Sequence, residues 1–239
     1  MSIVVVIPAY NEERVIGEVL RQFFAFHVPR SALHVLVIDD GSTDRTAQVA
    51  SDAGAIVLRH PINRGLGGAL ATGIAGALQL ITNQQMTNNP VIVTLDADGQ
   101  HDPAEIPQMI QPILDGEADV VIGSRFKSRI QNPESRMPLS RKFANWCGNF
   151  FTWLLFGIWV TDSQSGFRAF SVDAARRLQL RTSTMEVSSE IIREIARLHL
   201  RVVEVPITVR YTEYSLSKGQ GFLRGLQTLW KLIVLRFFR

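Results

Sequence analysis

The strongest constraint on the fold is a repeated alternation of short apolar runs with longer amphipathic ones over the first half of the chain. Residues 3–7, 34–38, 55–58 and 91–95 are brief, β-branched and bounded by turn residues, so they read as strands. Residues 12–26, 43–53 and 66–81 lie between them with apolar positions at helical spacing, and a helix at 103–114 leads to a further strand at 119–122. Alternation of this kind predicts an α/β fold built from βαβ units: a mainly parallel sheet with helices on both faces. Such sheets bind ligands beyond the carboxyl ends of their strands, so the residues after each strand matter most.

Those residues are polar every time. Strand one runs into Pro8-Ala9-Tyr10-Asn11-Glu12-Glu13, and strand two into Asp39-Asp40-Gly41-Ser42-Thr43-Asp44. His60 to Gly65 follows strand three, and Gly123-Ser124-Arg125 ends strand five. Strand four ends in Leu95-Asp96-Ala97-Asp98-Gly99-Gln100, with His101 next. Alternate residues of an extended chain share a face, so Asp96 and Asp98 can converge. Two close carboxylates repel unless a proton or cation lies between them, and a hard divalent ion sharing the site with substrate phosphates suits oxygen ligands. Each motif alone also reads as turn and capping chemistry, since Ser42, Thr43 or Asp44 would cap a helix. Five at one edge argue for a site.

Charge divides the chain. Residues 1–120 hold 6 Arg and no Lys against 14 Asp and Glu, a net −8; residues 121–239 hold 19 Lys and Arg against 8 acids, a net +11. The acidic half suits a metal and the basic half an anionic partner. The basic residues lie among long apolar stretches, which points to a membrane surface and not to nucleic acid. Pro133 and Pro138 argue against a continuous helix through the basic loop 125–141, while residues 143–160 read as a buried or half-inserted helix. A helix at 186–200 and strands at 202–205 and 208–211 follow, with Glu186 and Glu190 expected on the helix surface or paired to Arg193 or Arg197. Residues 222–239 place Phe, Leu, Ile and Trp at helical spacing among Arg and Lys, as in a helix lying in a membrane interface or in a terminal helix packed on its own domain. The single cysteine, Cys147, excludes an internal disulfide and fits a cytoplasmic location; the amino terminus reads as a strand, not a signal peptide.

Taken in order, V-V-I-P-A-Y-N-E-E, V-I-D-D-G-S-T-D-R-T, N-R-G-L-G-G-A, L-D-A-D-G-Q-H-D-P, I-G-S-R and D-S-Q-S-G-F-R-A-F resemble the motifs of family-2 glycosyltransferases. Within that family the set is similar to the dolichyl- and polyprenyl-phosphate mannosyl- and glucosyltransferases, over about residues 3–215. The resemblance implies a GT-A, Rossmann-like domain at 1–215, with residues 216–239 as a basic amphipathic helix. It implies inverting transfer of a hexose from a GDP- or UDP-sugar to a polyprenyl phosphate at a membrane surface. Pro8, Tyr10, Glu12, Asp39, Asp40, Asn63, Gly65 and Lys218 would line the donor site, with Asp96, Asp98 and Gln100 holding Mg2+ or Mn2+ on the diphosphate. Arg125 would bind donor phosphate. Arg136 and Ser140 would meet the acceptor phosphate, Arg168 would bind phosphate there or pair with Asp162, and Asp162 would serve as a base or cap or orient its loop. The chain would lie peripherally on the cytosolic face of the membrane, or reach the lipid through a separate membrane partner.

Two other readings stay open at this point. A saccharide or glycolipid hydroxyl as acceptor would need Asp162 as base. A nucleotide-binding membrane module would need no chemistry at all. A dinucleotide oxidoreductase fits less well, because no G-x-G-x-x-G follows the first strand.

Overall fold

Seven strands form one sheet in the computed structural model, which describes residues 2–25, 32–86, 89–127 and 139–211, apart from the side chains of 139–141 and 144. The strands are β1 (Ile3–Ala9), β2 (Leu33–Asp39), β3 (Ile56–Arg59), β4 (Val91–Thr94), β5 (Val120–Ser124), β6 (Arg168–Ser171) and β7 (Val202–Pro206), in the order β3-β2-β1-β4-β6-β5-β7. Only β6 runs antiparallel to its neighbours, β4 and β5.

Two-residue periodicity distributes the core. Along β1, Ile3, Val5 and Ile7 enter one apolar cluster, and Val4 and Val6 enter the other. The first cluster is closed by α1 (Ile16–Ala25), α2 (Thr46–Asp52) and α4 (Ile106–Leu114). The second is closed by α3 (Gly65–Asn83), α6 (Val172–Arg177) and α7 (Val187–Leu198). Strands buried on both sides explain why their sequences are continuous Val and Ile runs. Helix α3 has the length and apolar content of a membrane span, yet Leu70, Ile74 and Ala77 are buried beneath the sheet, so it serves as a core helix.

The structure departs from the sequence-based expectation in three places. Helix α1 starts at Ile16 and not at Glu12, because the 10–13 backbone is tied to the loop after β2. The expected strand at 208–211 is a single bridge, His101 to Val209. Glu186 and Glu190 are buried and not on the helix surface. Glu190 does pair with Arg193 at 3.4 Å, but it also accepts from Thr182 N at 2.9 Å, Thr182 Oγ1 at 2.6 Å and Arg181 N at 3.1 Å. A carboxyl group so deep is tolerated because hydrogen bonds replace its hydration. The segment it fixes is used at once: Ser183 O accepts from Gly67 N at 3.0 Å, propping the glycine-rich start of α3.

Candidate active site

Sheet order reverses at β1, whose neighbours are β2 and β4, and the loops at that carboxyl edge therefore diverge into a crevice. Pro8 is half-buried near the end of β1, Tyr10 is exposed and Glu12 is buried. Asn11 N donates to Ser42 Oγ at 3.0 Å, Thr43 N to Asn11 Oδ1 at 2.9 Å, and Glu12 N to Thr46 Oγ1 at 2.8 Å. These bonds bind the first two motifs into one wall.

The paired aspartates of the second motif do different things. Asp40 accepts from Arg64 N at 2.9 Å, Gly65 N at 2.8 Å and His60 Nδ1 at 2.7 Å, so it caps the start of α3 and holds the 60–65 turn. Gly65 has φ +78°, a conformation that glycine adopts without strain, and its N–H also reaches Asn63 Oδ1 at 3.0 Å. Asp39 is completely buried; its Oδ1 accepts from Ser42 N at 3.0 Å, and its Oδ2 lies 3.1 Å from Arg59 Nε without hydrogen-bond alignment. That second oxygen is a buried acceptor without a hydrogen-bond partner.

Asp96 and Asp98 leave β4 on the other side of the crevice. Gly166 faces Asp96 so closely that any Cβ there would overlap its carboxylate, which accounts for the glycine in S-G-F-R. The Asp96 side chain is 39% exposed, with His101 Nε2 at 3.7 Å from Oδ2. Partial burial raises its carboxyl, but contact with His101 and the charges of Arg168 and Arg125 outweigh that and hold it below the ordinary carboxylate range. Asp98 goes the other way: burial and then the Asp96 charge push its carboxyl up, against hydrogen bonds from the backbone and side-chain amides of Gln100. Arg168, expected at the acceptor phosphate, is instead fully buried in β6, opposite Thr94 and Ile122. Its Nη2 donates to Ser163 O at 2.9 Å, and burial lowers its guanidinium to about 10. A cation enclosed there neutralises Asp96 from within and is not presented to solvent.

Arg125 follows β5 and pairs with Asp162 in bidentate fashion, Nε to Oδ2 at 2.6 Å and Nη2 to Oδ1 at 2.6 Å. Burial opposes the Arg125 charge, but the Asp162 bonds win and raise its guanidinium above the ordinary value. Asp162, wholly buried, therefore pairs with Arg125 and not with Arg168. Asp162 takes two of the five N–H groups of Arg125 through its side chain, and Tyr211 also acts on the guanidinium.

Glu204, on β7, sets this pair in place. Its Oε1 accepts from Thr161 N at 2.7 Å, Thr161 Oγ1 at 2.8 Å and Asp162 N at 3.3 Å, and its Oε2 meets Lys127 Nζ at 3.3 Å. Glu204→Ala is expected to cost about 1–3 kcal/mol, because buried donors lose their acceptor. In steady-state assays it should lower kcat more than it raises the donor KM, since the Arg125–Asp162 pair loses its backbone support; an unchanged kcat would remove that role.

The donor set fits a hard divalent cation. Two carboxylates stand one residue apart, one lowered by its cationic neighbours and the other raised by burial and then by the first, and Gln100 is tied to Asp98. Among the described residues no cluster of three or more His, Cys, Asp or Glu side chains converges, so substrate oxygens would complete a coordination shell, the usual arrangement for Mg2+. Arg136, Lys218 and the Ser140 side chain lie outside the described residues, although Ser140 itself falls in the first turn of α5 (Leu139–Phe156). Sequence reasoning overlooked Glu204, Thr161 and Asn149. Only Glu204 carried a signal, as a lone acid inside the apolar run V-V-E-V-P.

Comparison with known proteins identifies the family. The family model described as glycosyl transferase family 2 matches residues 4–179. A UDP-N-acetylglucosamine–dolichyl-phosphate N-acetylglucosaminyltransferase of Methanococcus voltae is 36% identical, over 98% of this chain and 96% of its own. An undecaprenyl-phosphate mannosyltransferase of Micrococcus luteus is 33% identical, over 94% of this chain and 90% of its own. Among solved structures, glucosyl-3-phosphoglycerate synthase of Mycobacterium tuberculosis, in complex with Mn2+, UDP-glucose and phosphoglyceric acid, superposes with a TM-score of 0.72 at 22% identity, covering 98% of this chain and 79% of that one. That likeness establishes the fold. A matched family model over most of the chain and an edge-on site of this kind make the protein a member of glycosyl transferase family 2, a glycosyltransferase of GT-A fold.

Proposed function

We propose that the protein transfers a hexose from a nucleotide-diphospho-sugar, GDP- or UDP-linked, to a polyprenyl phosphate, with inversion at the anomeric carbon. The observation that carries this reading is the placement of Asp96 and Asp98, one residue apart just past β4, at the carboxyl edge of the sheet that also holds Arg125 and the buried Asp39. The names of the relatives above support polyprenyl phosphate as the acceptor class.

Each chemical need has a residue. Asp39 offers its second carboxylate oxygen to the base, and Asp40 keeps the Asn63–Gly65 backbone against the donor. Bound at Asp96, Asp98 and Gln100, Mg2+ or Mn2+ would supply Lewis-acid stabilisation of the leaving diphosphate. Arg125, fixed by Asp162, presents its remaining N–H groups to the same developing charge. A phosphate monoester has a second pKa near ~6, so the acceptor arrives ionised and needs no base. Asp162 then acts by orientation. The acceptor phosphate falls to Arg136, Ser140 and the basic loop, and Lys218 to the donor phosphates. On this reading residues 1–215 are catalytic, residues 216–239 form a basic helix, and the protein sits peripherally on the cytosolic face of a membrane.

The test is a panel of nucleotide sugars against a short polyprenyl phosphate and, in parallel, a glycolipid bearing only hydroxyls. Transfer to the phosphate alone is the expected result. Transfer only to the hydroxyl acceptor would replace this reading with base catalysis at Asp162, and nucleotide binding without transfer would leave a binding module.

A further inference from the structure

We propose that His60 is a positioning residue for the sugar donor, acting through the carboxylate of Asp40 and not by touching the donor itself. The proposal rests on the donor-site reading above and adds the residue that sets Asp40 in place.

His60 follows β3 and joins three elements. Its backbone N donates to Asp39 O at 2.9 Å, which carries the pairing of β3 with β2 one residue further. Its ring spans the gap between the loop after β2 and the body of α3: Nδ1 lies 2.7 Å from Asp40 Oδ1, and Nε2 lies 2.9 Å from Thr72 Oγ1. Two backbone amides already donate to Asp40, so its oxygens act as acceptors and Nδ1 supplies the proton. With both nitrogens engaged and the residue 6% exposed, the ring has nothing to offer a ligand directly.

Asp40 is where this bracing takes effect. Its Oδ1 accepts from Arg64 N and its Oδ2 from Gly65 N, so the turn of its carboxylate sets the path of the chain into α3. A carboxylate rotates softly about its last bond. The two amides belong to a turn, whereas His60 hangs from the end of a strand and gives the carboxylate a fixed reference. Movement would pass on at once, because the two loops meet backbone to backbone: a Cβ on Gly41 would lie 2.6 Å from both Asn63 N and Ile62 C. Asn63 and Gly65 on one loop, and Asp39 on the other, are the residues assigned to the donor. Asp96, Asp98 and Arg125 follow β4 and β5, which stand on the far side of β1 from β2 and β3. Loss of the His60 contact therefore belongs to donor binding and not to the chemical step, a change in KM at constant kcat.

A buried, hydrogen-bonded histidine can also be plain core, and two amide side chains separate the cases. Asparagine places its nitrogen near the position of Nδ1 and can reach Asp40 but not Thr72. Glutamine places its nitrogen near Nε2 and can reach Thr72 but not Asp40. Both remove the ring, so both should lower Tm.

The experiment titrates UDP and GDP with Mn2+ into the full chain without acceptor, and follows donor KM and kcat alongside. His60→Gln should weaken nucleotide binding about tenfold and raise the donor KM to match, with kcat within about twofold. His60→Asn should bind nucleotide within about twofold of the unaltered protein despite its lower Tm. In an Asp40→Asn background, His60→Gln should cost nothing further, since the two residues act as one unit. Equal weakening by asparagine and glutamine would make His60 a core residue, and an additive double variant would show that it does not work through Asp40. A loss of kcat at unchanged KM would overturn the proposal as well. Should His60→Gln fail to fold, His60→Asn and Thr72→Val decide: both keep nucleotide affinity on this account, and a tenfold loss in either contradicts it. The titration needs no acceptor, so failure of transfer to polyprenyl phosphate leaves its result standing. An unaltered protein that binds neither nucleotide would remove the donor-site reading and this proposal with it.

Discussion

Asp98→Asn is expected to reduce sugar transfer about 10³-fold while raising the melting temperature of the metal-free protein at neutral pH. The first effect follows from losing one of two anionic ligands to a cation that stabilises several kcal/mol of developing charge. The second follows from the direction of the Asp98 shift. Burial and the Asp96 charge both push its carboxyl up, so the ionised form is a burden on the folded state. That burden is absent below the ordinary carboxylate value, grows as pH rises through the folded value, and is complete above it. Asparagine removes it and keeps the shape, its oxygen accepting from Gln100 N and its Nδ2 donating to the Gln100 side-chain oxygen once that amide turns over. Thermal melts without metal, with transfer assays alongside, check both halves. A variant that loses activity and stability together would make Asp98 a structural residue.

Asp162→Ala should produce the largest loss of stability, about 3–5 kcal/mol, because it strands the Arg125 charge in a partly closed site. At roughly 2–4 °C per kcal/mol for a domain of this size, Tm should fall by about 10 °C. The double variant Arg125→Leu with Asp162→Leu should regain much of that stability, since an apolar pair needs no partner, yet remain inactive for want of the guanidinium. This separates orientation from base catalysis. If Asp162 were only a base, its loss would leave Tm unchanged, and the double variant would offer no recovery.

Much of the fold was legible because both faces of the sheet are buried. Continuous Val and Ile runs such as 3–7 and 91–95 have few other places to go, and the turn chemistry after each one placed the site at a single edge. Asp96, Asp98 and Arg125 were readable for the same reason. The long-range pairings were not. Asp162 and Arg125 are 37 residues apart, and Glu204 reaches Thr161 across 43, so no local pattern couples them. Arg168 misled because S-G-F-R looks like an exposed polar loop, whereas the chain enters β6 at that residue and carries it inward. The fastening of α5 was hidden too: Asn149 and Thr152 look like interruptions of an apolar helix until their partners on the 161–163 loop and α7 appear.

The central claim is that the Asp96–Asp98 pair holds a divalent ion against the diphosphate of a sugar donor. A crystal structure with Mn2+ and the preferred nucleoside diphosphate tests it most directly. Carboxylate oxygens of both residues should lie about 2.0–2.6 Å from an ion that also contacts the diphosphate. An ion bound elsewhere, or a diphosphate seated with neither carboxylate turned toward a metal, would contradict the account.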